Sequence, residues 1–163
     1  MIITPSHRLA RYAVLPLAGL AAVGTTVAST GIANAGTLPA TGPTVAMTIT
    51  NSTNDPMILR GSANPYGQWI NGPQAIIPPH SQSIVTAGGN DPGGIGVDVA
   101  YSLPGGDAVF LANNYGYNGG DLNGTRLEGQ AAGSYRLDSH MDTGFPYLNA
   151  GYTVGPRPLF GSS

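Results

Sequence analysis

The sequence contains no cysteine and no lysine. Without thiols there are no disulfides, no thiolate-bound zinc and no cysteine nucleophile, so stability must come from packing and sheet hydrogen bonds. Charged residues make up only 9% of the chain. A cationic patch for nucleic acid or anionic lipid is therefore excluded as an organising feature. No stretch keeps a 3.6-residue apolar period, which leaves out long helices. Tryptophan occurs once, at Trp69. Beyond the N-terminus, no apolar run is long enough to span a bilayer.

What is present begins with a targeting pattern. Arg8 and Arg11 form a basic region, Ala13 to Val23 an apolar one, and Ile32-Ala33-Asn34-Ala35 a small-x-small cleavage site. This predicts a secretory signal peptide over residues 1–35. An uncleaved anchor is the alternative, but Pro16 and Gly19 interrupt the short apolar core. Cleavage would leave Gly36–Ser163, with four arginines against eight carboxylates and a formal charge of −4. Residues 36–43 read as a flexible lead-in, 44–154 as one domain and 155–163 as a flexible tail.

The 25 glycines and 14 prolines follow no strict repeat. Between them lie short apolar runs, the composition of a turn-rich all-β domain. The clearest stretch is 95–119. Ile95, Val97, Val99 and Tyr101 alternate with Gly96, Asp98 and Ala100, a period of two that marks a strand with one buried face. Leu103-Pro104-Gly105-Gly106-Asp107 is turn chemistry. Ala108 to Ala112 is a continuous apolar run, expected of a strand covered on both faces. These form a central antiparallel hairpin, ending in the loop Asn113-Asn114-Tyr115-Gly116-Tyr117-Asn118. Further strands are expected at 44–50, 57–60, 68–70, 74–77 and 82–86, with weaker ones at 125–128, 134–137 and 151–154. The glycine-rich stretch 87–94 reads as a loop. Short strands recurring every ~8–12 residues predict an antiparallel β-sandwich with Gly/Pro-rich loops.

The order of features from Thr44 to Asn118 adds a resemblance. It runs VAMTITNSTNDPMIL, then GQWINGPQAIIPPHSQSIV, then GGIGVDVAYSLPGGDAVFLANNYGYNGG. This resembles the aegerolysin-like family and its bacterial crystal-toxin relatives. The shared features are an Asn-rich turn, a single Trp after a Gly, a Pro-x-x-Ser turn, a Gly-flanked strand ending in Tyr and an Asn/Tyr/Gly loop. The resemblance implies a compact β-sandwich that binds membrane lipids, in some members beside a pore-forming partner protein. Members of that family often carry cysteines, which this chain does not, and the region from 119 onward matches it poorly.

Tyr66, Trp69, Asn113, Asn114, Tyr115, Tyr117 and Asn118 are the candidate ligand-binding residues. Amphipathic aromatics suit a sugar ring or lipid headgroup. Trp69 equally reads as core filling beside Ile70. On an extended segment Tyr115 and Tyr117 would present both rings on one side, with the Gly116 backbone open between them. The asparagines would then supply donors and acceptors for a neutral polar ligand.

Catalysis has less support. Asp98 and Asp107 could act as a carboxylate pair if they stood ~5–10 Å apart, and Glu128 and His80 are the other ionisable candidates. A triad drawn from Ser81, His80 and Asp98 has no accompanying motif. Asp138-Ser139-His140-Met141-Asp142 has alternating metal-ligand side chains but also no motif, and Asp121 to Thr125 lacks the carboxylates of a calcium loop. No cofactor is implied. Asn51-Ser52-Thr53 and Asn123-Gly124-Thr125 are glycosylation sequons in a host that glycosylates secreted chains. The sequence thus points to a secreted, non-catalytic module for a membrane lipid or glycan. A surface protein of structural or antigenic role and a hydrolase using Asp98 and Asp107 are the alternatives. Mass spectrometry of exported protein should find Gly36 at the N-terminus; an intact Met1 would mean an anchor.

Overall fold

The computed structural model describes residues 42–144 and 146–158. The expected signal peptide, nearly all of the lead-in and residues 159–163 lie outside the described residues. Those described form Thr44–Asn51 (β1), Met57–Ala63 (β2), Gly67–Asn71 (β3), Ile76–Ile77 (β4), Ser81–Gly89 (β5), Ile95–Leu103 (β6), Gly106–Asn114 (β7), Gly120–Asp121 (β8), Arg126–Gly129 (β9), Tyr135–Gly144 (β10) and Tyr147–Pro156 (β11). Among the described residues, helical structure is limited to one turn at Ala131–Ser134 (α1) and a 3-10 turn at Gly116–Asn118.

The strands make two sheets, ordered β10-β11-β1-β5-β3 and β4-β2-β6-β7-β8, with β9 also pairing β7. This is an all-β sandwich. The hairpin expected from the alternation is present: β6 pairs β7 from Ile95↔Asn114 to Leu103↔Gly106. Ile95, Val97, Val99, Tyr101 and Leu103 are all buried. Ala108, Phe110 and Ala112 face the same interior, while Val109 on the opposite face is also buried. There the chain between β8 and β9 lies over β7, and Leu111 N–H donates to Thr125 Oγ1 at 3.0 Å. That cover explains the unbroken apolar run.

The other sheet supplies Val45, Met47, Ile49, Val85, Leu148, Tyr152 and Val154 to the same core. Phe110 meets Tyr101 edge-on at 6.4 Å and Tyr152 of the facing sheet at 5.3 Å. Each phenol finds a carbonyl, Tyr101 on Gln74 at 2.8 Å and Tyr152 on Leu111 at 2.5 Å. Burial pushes the Tyr101 phenol up to about 12 and raises that of Tyr152 as well.

Four details differ from the sequence expectation. One strand pair is parallel: β11 runs alongside β1 in the same direction, from Thr44↔Tyr147 to Asn51↔Val154. β11 reaches β1 as the return arm of the β10–β11 hairpin, and pair direction leaves no trace in the alternation of a single strand. Second, Ala87, Gly88 and Gly89 are strand, not loop. Gly88 pairs with both Thr44 and Gln68, and a Cβ on Gly89 would come within 3.2 Å of Pro43 and Ile95. The glycines permit close approach of neighbouring segments rather than a turn. Third, β10 is ten residues long, where the pattern suggested four. Fourth, Gly155 and Pro156 extend the last strand, and Arg157 N–H donates to the Ser134 carbonyl at 3.1 Å, so the expected tail starts in paired structure.

Val99 is fully buried at the centre of this core. Val99→Asp should cost several kcal/mol, on the order of 3–5, by burying an unpaired carboxylate. Chemical denaturation measures it, and a variant with wild-type stability would remove Val99 from the core.

Candidate functional site

The sandwich has two distinct ends. One is formed by the β2–β3 turn, the β5–β6 loop, the segment after β7 and the β10–β11 turn. At this end a cavity of about 720 Å³ opens, lined among others by Tyr66, Asn90, Asp91, Ile95, Asn113 and Tyr115.

Local sequence chemistry sets each wall. Asn64-Pro65-Tyr66-Gly67 is a turn closed by Gly67 N–H on the Asn64 carbonyl, and it lifts Tyr66 clear of the surface. Asp91 builds the β5–β6 loop: its Oδ1 accepts from Gly93 N–H at 2.7 Å and its carbonyl from Gly94 N–H at 3.3 Å. Gly94 sits at φ +134°, where a Cβ would meet the Asn114 carbonyl oxygen at 2.6 Å. A larger residue there would push apart the loops that shape the cavity.

The third wall hangs on Asn114. This side chain is 3% exposed. Its amide donates to the Thr44 and Pro146 carbonyls at 3.0 and 3.1 Å, and its Oδ1 accepts from Gly116 N–H at 2.9 Å. Asn114 therefore holds the loop and is not available to a ligand, contrary to its expected role. The extended Tyr115–Tyr117 platform is also corrected. Tyr115 leads into the 3-10 turn Gly116–Asn118, with Gly116 at φ +62°. Gly116 is buried, its N–H taken by Asn114, so its backbone is closed. The two rings consequently do not form one flat face, and only Tyr115 lines the cavity.

Tyr115 is steadied from below. Its hydroxyl donates to Asp121 Oδ2 at 3.1 Å, while Asn113 donates to Asp121 Oδ1 at 2.9 Å. Asn123 adds its backbone N–H and its amide to the same carboxylate. The Asn113 hydrogen bond, with those from Asn123 and Tyr115, holds the Asp121 carboxyl below the usual aspartate value. The carboxylate in turn raises the Tyr115 phenol.

Of the other expected site residues, Tyr66 and Asn113 line the cavity, whereas Tyr117 and Asn118 lie beyond it. Trp69 is half-buried, packs against the core and does not line the cavity. Two elements were missed in the sequence. The Asn90–Gly94 segment reads in the sequence only as part of a glycine-rich loop, although its Asp-Pro-Gly-Gly signature before a strand marks a rigid turn. Tyr147, at the start of β11, lies where the alternation is weak.

The exposed tyrosines share a location. Seven tyrosines are described. Tyr101, Tyr135 and Tyr152 are buried; Tyr66, Tyr115, Tyr117 and Tyr147 are 70%, 44%, 82% and 38% exposed. All four exposed ones belong to the cavity end, on the loops named above or flanking them. The described arginines lie in the other half. Arg126 is level with Val109, Arg136 with Gly155, and Arg60 lies between residues paired with Tyr101 and Ala100. Arg157 follows the last strand.

The catalytic alternatives do not assemble. Asp98 is opposite Leu111 and Asp107 opposite Ser102. Four positions along β6 separate them, roughly 13 Å at ~3.3 Å per residue, beyond the reach of a carboxylate pair. Asp107 is 3.9 Å from Arg60, and its cross-strand neighbour Glu128 is taken by Arg126 at 2.5 Å. His80 Nε2 meets Asn54 Oδ1 at 3.0 Å while Ser81 Oγ donates to Pro78, so no triad with Asp98 forms. Among the described residues, no three histidine or carboxylate side chains converge as a metal site. Asn51 is fully buried, with its amide on the Asp55, Ile77 and Pro78 carbonyls, so that sequon is closed in the folded chain. Asn123 is exposed.

The fold and this geometry define an all-β sandwich with an aromatic cleft between the loops of one end. No family model matches the chain, and no curated protein matches its sequence. Among solved structures, the fold is similar to the crystal structure of the lipid binding protein Nakanori. The TM-score is 0.59 and the identity 12%, over 71% of this chain and 72% of that one.

Because the fold favours ionised Asp121, its contribution to loop order is fully present above the ordinary value of 3.8 and is lost as pH falls through the lower folded value. Acidification should loosen the Tyr115 ring, as read by NMR. Asp121→Asn should remove that acid transition. Tyr115 resonances insensitive to acid would contradict the tether.

Proposed function

We propose that the chain is a secreted, non-catalytic module that binds lipid headgroups at a membrane surface through its tyrosine-bearing end. The observation that carries this reading is the segregation of all four exposed, described tyrosines to the cavity end, away from the described arginines. Tyrosine combines an apolar ring with a polar tip and is favoured where hydrocarbon meets water. The cleft offers the Tyr66 and Tyr115 rings with the amides of Asn90 and Asn113, and Asp91 is the charged residue on its wall. That chemistry suits a neutral or zwitterionic headgroup and disfavours an anionic one. The fold shared with a lipid binding protein agrees with this reading.

Membership of the aegerolysin-like family, export with loss of residues 1–35, and action beside a pore-forming partner protein are parts of the same proposal. They are motivated by the resemblance over 44–118 and by the N-terminal pattern. A surface glycan is the competing ligand, because the same rings and amides would accept a sugar.

Liposome flotation tests the reading. Binding should be seen with phosphatidylcholine vesicles and should not increase when phosphatidylserine is added. Replacing Tyr66 and Tyr115 together with Ala should weaken binding by about 1–3 kcal/mol, with little change in melting temperature. Binding to a glycan array but not to vesicles would favour the sugar. A double variant that melts early yet binds normally would show that the tyrosines serve the fold.

A further inference from the structure

Three of the four sheet edges are blunted in ways that discourage strand addition. β4 has two residues; β8 and β9, along the edge beside β7, have two and four; β3 has five, with a register shift between Trp69 and Asn71. β10 differs. It has ten residues and pairs with β11 in unbroken register from Tyr135↔Pro156 to Gly144↔Tyr147. Among the described residues it is paired on one side only. A long edge in unbroken register, paired on one side, is a template for another strand.

The direction of its free groups follows from the ladder. Arg157 N–H donates to the Ser134 carbonyl at 3.1 Å, in continuation of the β10–β11 register. In an antiparallel ladder the bonded residues alternate. The even-numbered residues of β10 therefore bond to β11, and the N–H and C=O groups of Leu137, Ser139 and Met141 point to the open edge.

The side chains along this edge are self-complementary. Arg136, Asp138, His140 and Asp142 share the outer face; Leu137, Ser139 and Met141 share the inner one, level with the core residues Val154, Tyr152 and Ala150 of β11. Two antiparallel copies of β10 related by a two-fold axis at Ser139 place Arg136 opposite Asp142 and Asp138 opposite His140, each twice. On the inner face Leu137 meets Met141, which is 39% exposed in the single chain. The adjacent registers are penalised. Slipping the centre to residue 140 sets Asp138 against Asp142, and slipping it to 138 sets Asp138 against itself and Arg136 against His140. Within one chain Arg136 Nε already lies 2.8 Å from Asp138 Oδ2, which holds the guanidinium along the outer face of β10.

We propose that a second copy of this chain docks on the β10 edge, antiparallel and centred on Ser139, joining the two five-stranded sheets into one. This is an isologous contact, in which main-chain hydrogen bonds supply the attraction and the charge pattern fixes the register. It leaves the tyrosine-bearing ends unblocked.

Analytical ultracentrifugation of the chain over a wide concentration range should show a monomer–dimer equilibrium. Arg136→Asp and Asp142→Arg should each raise the dimer dissociation constant roughly tenfold or more, since each places like charges opposite one another twice per dimer. Combining the two should restore dimerisation to near the starting value. Far-UV circular dichroism checks that each variant is folded. Because the chain has no cysteine, Ser139→Cys provides an independent readout: directly opposed residues are ~5.5 Å apart at Cα, within disulfide reach, and mild oxidation should give a covalent dimer. Oxidation of Ser102→Cys, on the other sheet, should not. A monomer at every concentration would overturn the proposal, as would a dimer that ignores both charge reversals or a Ser139→Cys variant that cross-links no faster than Ser102→Cys.

Discussion

Two buried asparagines fasten the sheets of this cysteine-free chain at opposite ends. At one end Asn51 of β1 reaches the Ile77 and Pro78 carbonyls, joining the five-stranded sheet to the β4 edge of its neighbour. Its Oδ1 accepts from the Thr53 backbone and hydroxyl, which folds the β1–β2 turn. At the other end Asn114 of β7 reaches back to Thr44, the first residue of β1, and to Pro146 before β11. A buried amide without partners is costly, so each network is all-or-none, and a fully satisfied one fixes a single arrangement of its loops. The shape of the aromatic cleft depends on the second. Asn114 sets where Tyr115 begins, and Gly94 lies against its carbonyl.

The two ends then diverge in chemistry. The Asn51 end carries the β6–β7 turn and α1, with the described arginines in that half of the molecule. The Asn114 end carries the exposed tyrosines, the cleft and the Asp121 tether. In a chain with so few charges, confining the described arginines to one half leaves the other able to approach a zwitterionic surface without drawing it toward anionic lipid. Loops pinned by one buried side chain, Asn114, thus hold the aromatic rim in fixed geometry.

Much of the fold was legible because the strongest strands have clean patterns. Alternation at 95–101 and the apolar run at 108–112 placed the central hairpin, and Val45, Met47 and Ile49 gave β1 its inner face. The legibility failed where residues act through the backbone. Gly88 and Gly89 have the composition of a loop but are strand: Gly88 pairs on both sides, and a Cβ on Gly89 would crowd Pro43 and Ile95 at 3.2 Å. The parallel β1–β11 pair is a property of connection order, which alternation does not encode. Of the site, exposed Tyr115 and Tyr66 were readable from their polar, glycine-rich surroundings. Asn114 was not. Its side chain looks like that of any loop asparagine, and only the tertiary positions of Thr44 and Pro146 reveal it as a clamp. The Tyr115–Tyr117 spacing misled for a related reason: Gly116 adopts a positive φ and begins a turn, so the two-residue period of an extended strand does not apply there.

The central claim is that one end of the sandwich, and not the other, meets the membrane. Hydrogen–deuterium exchange with and without phosphatidylcholine vesicles tests it most directly, because backbone amides at both ends are read in one experiment. The account predicts slowed exchange confined to the loops around Tyr66, Asn90–Gly96, Tyr115–Gly119 and Tyr147, with the Asn51–Met57 turn and the α1 region unchanged. Protection at the arginine-bearing half, or none anywhere on vesicles that pull the protein down, would contradict it.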